Sequence, residues 1–156
     1  MAHKVEIMPA LPEHIPAIAR NMRDADVHEI QLLGWASEPA LRISLRTSLA
    51  AWTGLVDGIP VCMFGVCDGE MGEGKPWMLG TSKLDDPVTA IIFLRRCKKQ
   101  VEIMLNLRSV LANYVSIEND RAIKWLSWLG FDIIHPSFTW GARRKPFYRF
   151  ELRRKS

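Results

Sequence analysis

Two carboxylates, Asp26 and Glu29, stand three residues apart in a segment that reads as helical, so they share one face. Carboxylates so placed can receive an amine, or they can simply form a solvated face; His28 between them reads as a surface residue. The thiols offer less. Cys62, Cys67 and Cys97 are odd in number and not tightly paired, which fits reduced, mostly buried cysteines rather than a disulfide framework. Cys62 and Cys67 lie five apart, so in a strand they face opposite ways. His3, His14, His28 and His135 are scattered and no His/Cys cluster has zinc spacing, so no metal is expected. At the far end Arg143, Arg144, Lys145, Arg149, Arg153, Arg154 and Lys155 oppose only Glu151. That stretch carries +6 in a chain of net charge +4, leaving −2 on the body. It is either a solvated last strand and tail or the footprint of an anionic partner. Without a recognition helix, zinc finger or aromatic binding motif, it predicts at most weak, non-specific DNA binding.

The elements that must position these groups follow from periodicity and punctuation. The 156 residues, 48% of them hydrophobic, suffice for one domain, 1–156, burying roughly two-thirds of its unfolded surface. No apolar run approaches the ~18 residues of a membrane helix, and the first residues lack an apolar signal-peptide core; a cytoplasmic protein is expected. Lys4 to Met8 reads as a strand, Leu11 to Met22 as a helix, Asp24 to Leu33 as a second helix stopped by Gly34. A third helix begins at Ser37, with Leu41, Leu45 and Leu49 as its stripe. Trp52 to Val56 and Ile59 to Cys67 read as a hairpin across Asp57-Gly58. Asp68 to Pro76 reads as a loop and Trp77 to Thr81 as a strand. Val88 to Leu107 is a long helix burying Ala90, Phe93, Leu94, Cys97, Val101 and Met104. Val110 to Ile117 is a central strand. A short helix runs from about Asn119 to Leu129, then Phe131 to Ile134 and Phe147 to Leu152 are the last strands. The order implies an α+β, or mixed α/β, single domain.

The segment Asn119-Asp120-Arg121-Ala122-Ile123, with Gly130-Phe131 at the helix exit, resembles the motif of GCN5-related N-acetyltransferases, the GNAT superfamily. There the strand after the long helix ends in Asn, an Ala and an apolar residue follow at these spacings, and Gly-Phe closes the helix. Asn119 starts the helix, Ala122 permits close packing and Gly130 allows a left-handed stop. With the order of elements, the resemblance spans essentially the whole chain. It implies a central, mostly antiparallel sheet of six to seven strands flanked by helices. It also implies an acetyl-CoA site involving Thr81, Lys83, Val88 and Asn119, and it puts Asp26 and Glu29 near the acceptor end.

The family's chemistry fits this sequence less well. Its enzymes hold acetyl-CoA pyrophosphate on a glycine-rich loop before the long helix, where backbone N–H groups reach the phosphates. Here the connection reads Thr81-Ser82-Lys83-Leu84-Asp85-Asp86-Pro87-Val88, with no glycine, two acids, and Lys83 as the visible compensation. Leu126 occupies the position of the tyrosine that protonates the departing thiolate and has no proton to give. The strand Trp77–Thr81 offers no carboxylate base. The expectation is a degenerate acetyl-CoA site with little or no acetyl transfer. The alternative is an active N-acetyltransferase for a small amine or a protein amine. The acidic second helix ending in Gly34 and the Leu-centred helix also resemble GNAT-fold proteins of tailed phages and prophages, including an internal virion protein of short-tailed phages. That implies a protein of the host cytoplasm or the virion, with phage proteins as partners. Trp52, Trp77, Trp125, Trp128 and Trp140 read mostly as core or interface anchors, with Trp125 and Trp128 marking a protein contact.

Overall fold

The hydrophobic period changes from helical to alternating after Thr47, and there the main sheet begins. A computed structural model describes residues 3–140 and 145–155. Ahead of the switch lie β1 (Val5–Pro9), a 3-10 turn Pro12–His14, α1 (Ile15–Arg20), α2 (Asp24–Leu32) and α3 (Ser37–Thr47). After it come β2 (Ser48–Val56), β3 (Ile59–Asp68), β4 (Gly74–Gly80), a 3-10 turn Ser82–Asp85 and α4 (Pro87–Leu107). β5 (Val110–Ser116), α5 (Asp120–Trp128), β6 (Asp132–Trp140) and β7 (Lys145–Arg153) complete the described chain. Asp57 and Gly58 join β2 to β3 with φ of 51° and 80°, the doubly positive turn that suits the twist of a two-residue hairpin.

The seven strands form one sheet in the order β1-β2-β3-β4-β5-β7-β6. Neighbours are antiparallel except β4 and β5, which run parallel and meet at Gly74↔Leu111. Gly74 allows that contact, because a Cβ there would stand 2.8 Å from Leu111 Cδ2 and 3.0 Å from Val66 Cγ2. Beyond it the two strands diverge, and the sheet opens into a V.

Helices cover both faces. α4 buries Ala90, Phe93, Leu94, Cys97, Val101 and Met104, the stripe expected from spacing alone, and packs with α5 against one face. Ile15, Ile18, Leu41, Met63 and Leu79 form a second core under α1, α2 and α3. Cys62 belongs to the α4 core, whereas Cys67 lies against the Ser44 carbonyl of α3, so the two thiols do take opposite faces. The fold is α+β.

Several boundaries differ from the sequence reading. Leu49 is not part of the α3 stripe: the helix ends at Thr47, and Leu49 sits exposed in β2. The helix expected from Leu11 is a 3-10 turn followed by a short α1. β4 begins at Gly74, inside the expected loop, because its pairing with β3 extends to Asp68↔Gly74. β6 continues to Trp140 rather than stopping at Ile134, with a register shift between Ile134 and Phe138 around Pro136. β6 is an edge strand, where a proline removes no ladder hydrogen bond that the sheet needs.

Candidate functional site

The V between β4 and β5 is a cavity of about 580 Å³ that reaches from one face of the sheet to the other. Cys97, Met104 and Leu129 line it on the α4 and α5 side; Trp35, Ile43 and Trp77 line it on the α3 side. Its walls are mainly apolar and include Phe64 and Met78. Low in the V, Asn113 Nδ2 donates to the Pro76 carbonyl at 2.7 Å and ties the strands together where their backbones have parted.

Higher up, α2 closes the gap with carboxylates. Asp26 Oδ2 accepts the Gly80 N–H of β4 at 2.8 Å, and Glu29 Oε1 accepts the Ser116 N–H of β5 at 2.7 Å. The i, i+3 spacing therefore bridges two strands whose free N–H groups would otherwise face the cavity. Asp26 is 4% exposed and paired with Arg23 at 2.9 Å. The solvated-face reading of these two acids does not hold. His28, in contrast, is exposed beside Glu118.

Arg23 is itself buried. It reaches Asp85 at 3.6 Å and lies 5.8 Å from the Trp125 ring centroid, while its Nε has no hydrogen-bond partner. Glu29 has a different environment: its hydrogen bonds come from uncharged donors, Ser116 N–H and Asn119 Nδ2 at 3.3 Å. Loss of solvent is the largest influence on it and raises its pKa above the ordinary 4.5, with the Asp26 charge adding to the rise against those hydrogen bonds. The folded chain thus keeps the Glu29 proton to higher pH than the unfolded chain. Stability linked to that proton is full below about 4.5 and is lost as pH rises through the folded-state value. Glu29→Gln, which keeps the shape, is expected to gain stability relative to the parent as pH rises from about 4 to about 8. Urea unfolding of both proteins across that range checks it; parallel pH profiles would remove the burial argument.

The expected acetyl-CoA residues are less convergent. Thr81 is buried and caps the 3-10 turn, its hydroxyl accepting from Lys83 N–H at 3.3 Å. Lys83 and Val88 are exposed. Asn119 both caps α5, accepting from Ala122 N–H at 3.3 Å, and lines the cavity. At the start of α4, Asp86 accepts from Thr89 Oγ1 at 2.7 Å and from Thr89 N–H at 3.0 Å. These two bonds hold its carboxyl below the ordinary value, so it stays ionised. Asp85 meets Arg121 at 2.6 Å as well as Arg23. Lys83 is therefore not the sole compensating cation; Arg121, which sequence reasoning passed over, pairs with Asp85 at the shorter distance. Beside these residues a groove of about 490 Å³ runs between α4 and α5, lined by Pro87, Ile91, Arg121 and Lys124. The helix end is engaged by Asp86, and a second acid adjoins it.

Leu126 lines the cavity as a partly buried apolar side chain. Burial pushes the Cys62 thiol up to about 12 and raises Cys97 further, so neither is a ready nucleophile. Of the tryptophans, Trp125 packs on the core, whereas Trp128 is 46% exposed with the Lys98 ammonium 4.3 Å from its ring centroid.

The basic end is partly neutralised within the fold. Arg149 pairs with Glu73 at 2.8 Å and Glu151 at 3.3 Å, Arg153 lies 3.7 Å from Glu151, and Arg154 donates to the Leu105 carbonyl. Lys145 opens β7 and Lys155 follows it, both exposed; Arg143 and Arg144 lie outside the described residues. Among the described residues no group of three or more His, Cys, Asp or Glu is placed to hold a metal, and no helix is long and apolar enough to cross a membrane.

No family model and no curated protein matches the sequence. Solved structures match over nearly its whole length. The GNAT-family acetyltransferase from Bacillus anthracis shares 11% identity with a TM-score of 0.71, over 98% of this chain and 96% of that one. The yncA protein from Salmonella typhimurium, solved with acetyl-CoA, shares 12% identity with a TM-score of 0.69, over 97% and 95%. Spermidine N-acetyltransferase from Vibrio cholerae, in complex with CoA and spermine, shares 10% identity with a TM-score of 0.68, over 96% and 95%. At these identities what is shared is the fold, and that fold is the GNAT acetyltransferase fold.

Proposed function

We propose that this GNAT-fold chain binds acetyl-CoA weakly and transfers acetyl groups little or not at all. The observation that carries the reading is Asp86, whose carboxylate takes the Thr89 N–H and hydroxyl at the α4 N-terminus where a phosphate would need them. Asp85 reinforces it by spending Arg121 on a carboxylate. Leu126 leaves the cavity without a proton donor at the expected acid position. Calorimetry is expected to give an acetyl-CoA Kd weaker than about 100 μM, under roughly 5–6 kcal/mol of binding. Low-micromolar binding would overturn the reading.

One observation favours the second reading, an active acetyltransferase for a small amine or a protein amine. Glu29 supplies, from α2, the carboxylate that β4 lacks, half-buried at the mouth of the V and raised in pKa toward a general base. Acceptor-saturable acetyl transfer by the unmodified protein distinguishes this reading from the first. A place among tailed-phage proteins, in assembly or in the virion, rests on the acidic second helix and the Leu-centred α5 alone. Weak, salt-sensitive attachment of DNA to the basic end through Lys145, Arg149, Arg153, Arg154 and Lys155 belongs with that reading, reduced by the internal pairs of Arg149 and Arg153.

A further inference from the structure

We propose that the outward face of α4, together with the exposed side of α5, docks on an anionic lipid surface. One stripe of the long helix builds most of this face. Val88, Ile91, Arg95, Lys98, Lys99 and Glu102 recur at helical spacing and are all exposed. They lie opposite Phe93, Cys97, Val101 and Met104, the stripe that packs on the sheet. Beside them α5 turns Lys124 and Trp128 outward, and the Lys98 ammonium lies 4.3 Å from the Trp128 ring centroid. Charge here goes without partners. Elsewhere Arg42, Arg108, Arg121 and Arg149 each meet a carboxylate within the fold. Among the described residues, Arg95, Arg96, Lys98, Lys99 and Lys124 form no ion pair. Arg154 adds to them: its guanidinium donates to the Leu105 carbonyl at 3.4 Å, which brings the basic end of the chain to the last turn of α4. Within the stripe, Glu102 is the acid that opposes them.

Apolar surface is exposed among these cations. Val88 is 66% exposed and Ile91 51%, with Trp128 beside them and Ile103 and Leu107 further along the helix. Apolar side chains flanked by cations gain from a phase that sets anionic headgroups over hydrocarbon, and indole rings favour that boundary. Shape selects among anionic partners. The 21 residues of α4 make a convex ridge about 30 Å long, which a bilayer can meet along its length. An acidic peptide helix would instead need the groove between α4 and α5, and Asp85 and Asp120 line that groove. Duplex DNA would satisfy the cations but leave Val88, Ile91 and Trp128 against sugar and phosphate. A lipid surface satisfies both sets. The ridge lies outside the cavity between β4 and β5, so docking does not depend on whether acetyl-CoA binds.

The test is sedimentation of the full chain with unilamellar vesicles of phosphatidylcholine, alone or with about 30% phosphatidylserine. A gel shift with a mixed-sequence DNA duplex runs beside it. Partition onto the phosphatidylserine vesicles is expected to exceed that onto phosphatidylcholine by about tenfold or more in about 0.1 M salt, and to fall severalfold in about 0.5 M. Arg95→Glu with Lys99→Glu is expected to lower it by about tenfold or more, since each cation near such a surface contributes about fivefold. Arg42→Glu with Arg46→Glu changes the net charge equally on α3, across the sheet, and is expected to leave partition within about twofold. Ile91→Gln with Trp128→Ala keeps every charge and is expected to weaken vesicle partition by about threefold or more. Equal partition onto the two kinds of vesicle would overturn the proposal, and so would an equal loss in both charge-reversed variants. DNA retardation without vesicle binding would also overturn it, with nucleic acid as the occupant. All the substituted residues are exposed, and thermal melting confirms that each variant is folded. Should one not be, the lipid and salt comparison on the parent chain decides.

Discussion

Asp26→Ala is expected to lower folding stability by about 3–5 kcal/mol in urea denaturation, far beyond an ordinary helix-surface substitution. The carboxylate is 4% exposed and does two things at once. It pairs with the buried Arg23 at 2.9 Å, and it accepts the Gly80 N–H at 2.8 Å. Without it the Arg23 guanidinium remains inside with Asp85 at 3.6 Å as its other carboxylate, and its Nε already has no partner. The Gly80 N–H, at the parting end of β4, would also lose its acceptor, adding the cost of an unsatisfied buried donor. A double-mutant cycle sharpens the result. Arg23→Met with Asp26→Leu removes both charges and is expected to cost less than Asp26→Ala alone, since apolar replacement of a buried pair is often near neutral. A single-variant loss below about 1 kcal/mol would mean that α2 does not hold the V together through this residue.

The same residue shows where sequence reasoning stops. Asp26 and Glu29 were legible as a same-face pair, because helical spacing is local. Their burial was not legible, because their partners are backbone N–H groups 54 and 87 residues away, on strands that part from one another. Nothing in the i, i+3 spacing distinguishes a carboxylate turned to water from one turned into a split sheet. Arg121 was passed over for the same reason: its partner Asp85 lies 36 residues earlier, and only the approach of α5 to the turn before α4 joins them. By contrast, α4 was legible almost to the residue. Pro87 fixes its first turn, Asp86 caps it, and the whole expected stripe is buried. The start of α5 was similarly open, since Asn119 caps it by a contact only three residues long. Errors fell where two periods overlap. Leu49 follows Leu41 and Leu45 at helical spacing, yet the strand pattern begins at Ser48, and pairing with β3 prevails over the helix. In β6 the proline interrupts the alternation, although an edge strand tolerates it.

Phe93→Ala is expected to cost about 3–5 kcal/mol, the upper range for emptying a core aromatic position. Phe93 is 1% exposed and stands where three layers meet. Its ring makes an edge contact with Phe64 of β3 at 5.6 Å and a tilted contact with Trp125 of α5 at 6.4 Å. It also fills the space above Gly54 of β2, where a Cβ would come within 2.7 Å of the ring. Neighbours cannot easily collapse into the hole. Gly54 has no side chain to extend, and the Phe64 and Trp125 rings are tied to other contacts, Phe64 stacking on Trp52 at 5.6 Å. The cost should therefore include most of the cavity term as well as about 0.5–1.5 kcal/mol for each lost ring pair of good geometry. Trp128→Ala is the matched control. It removes a larger ring from the same pair of helices, but that ring is 46% exposed and its partner is the Lys98 ammonium. An exposed cation–π contact is worth about 0.5–1 kcal/mol, so the control should stay near that value. Equal destabilisation by the two substitutions would show that α4 is not anchored to the sheet through Phe93.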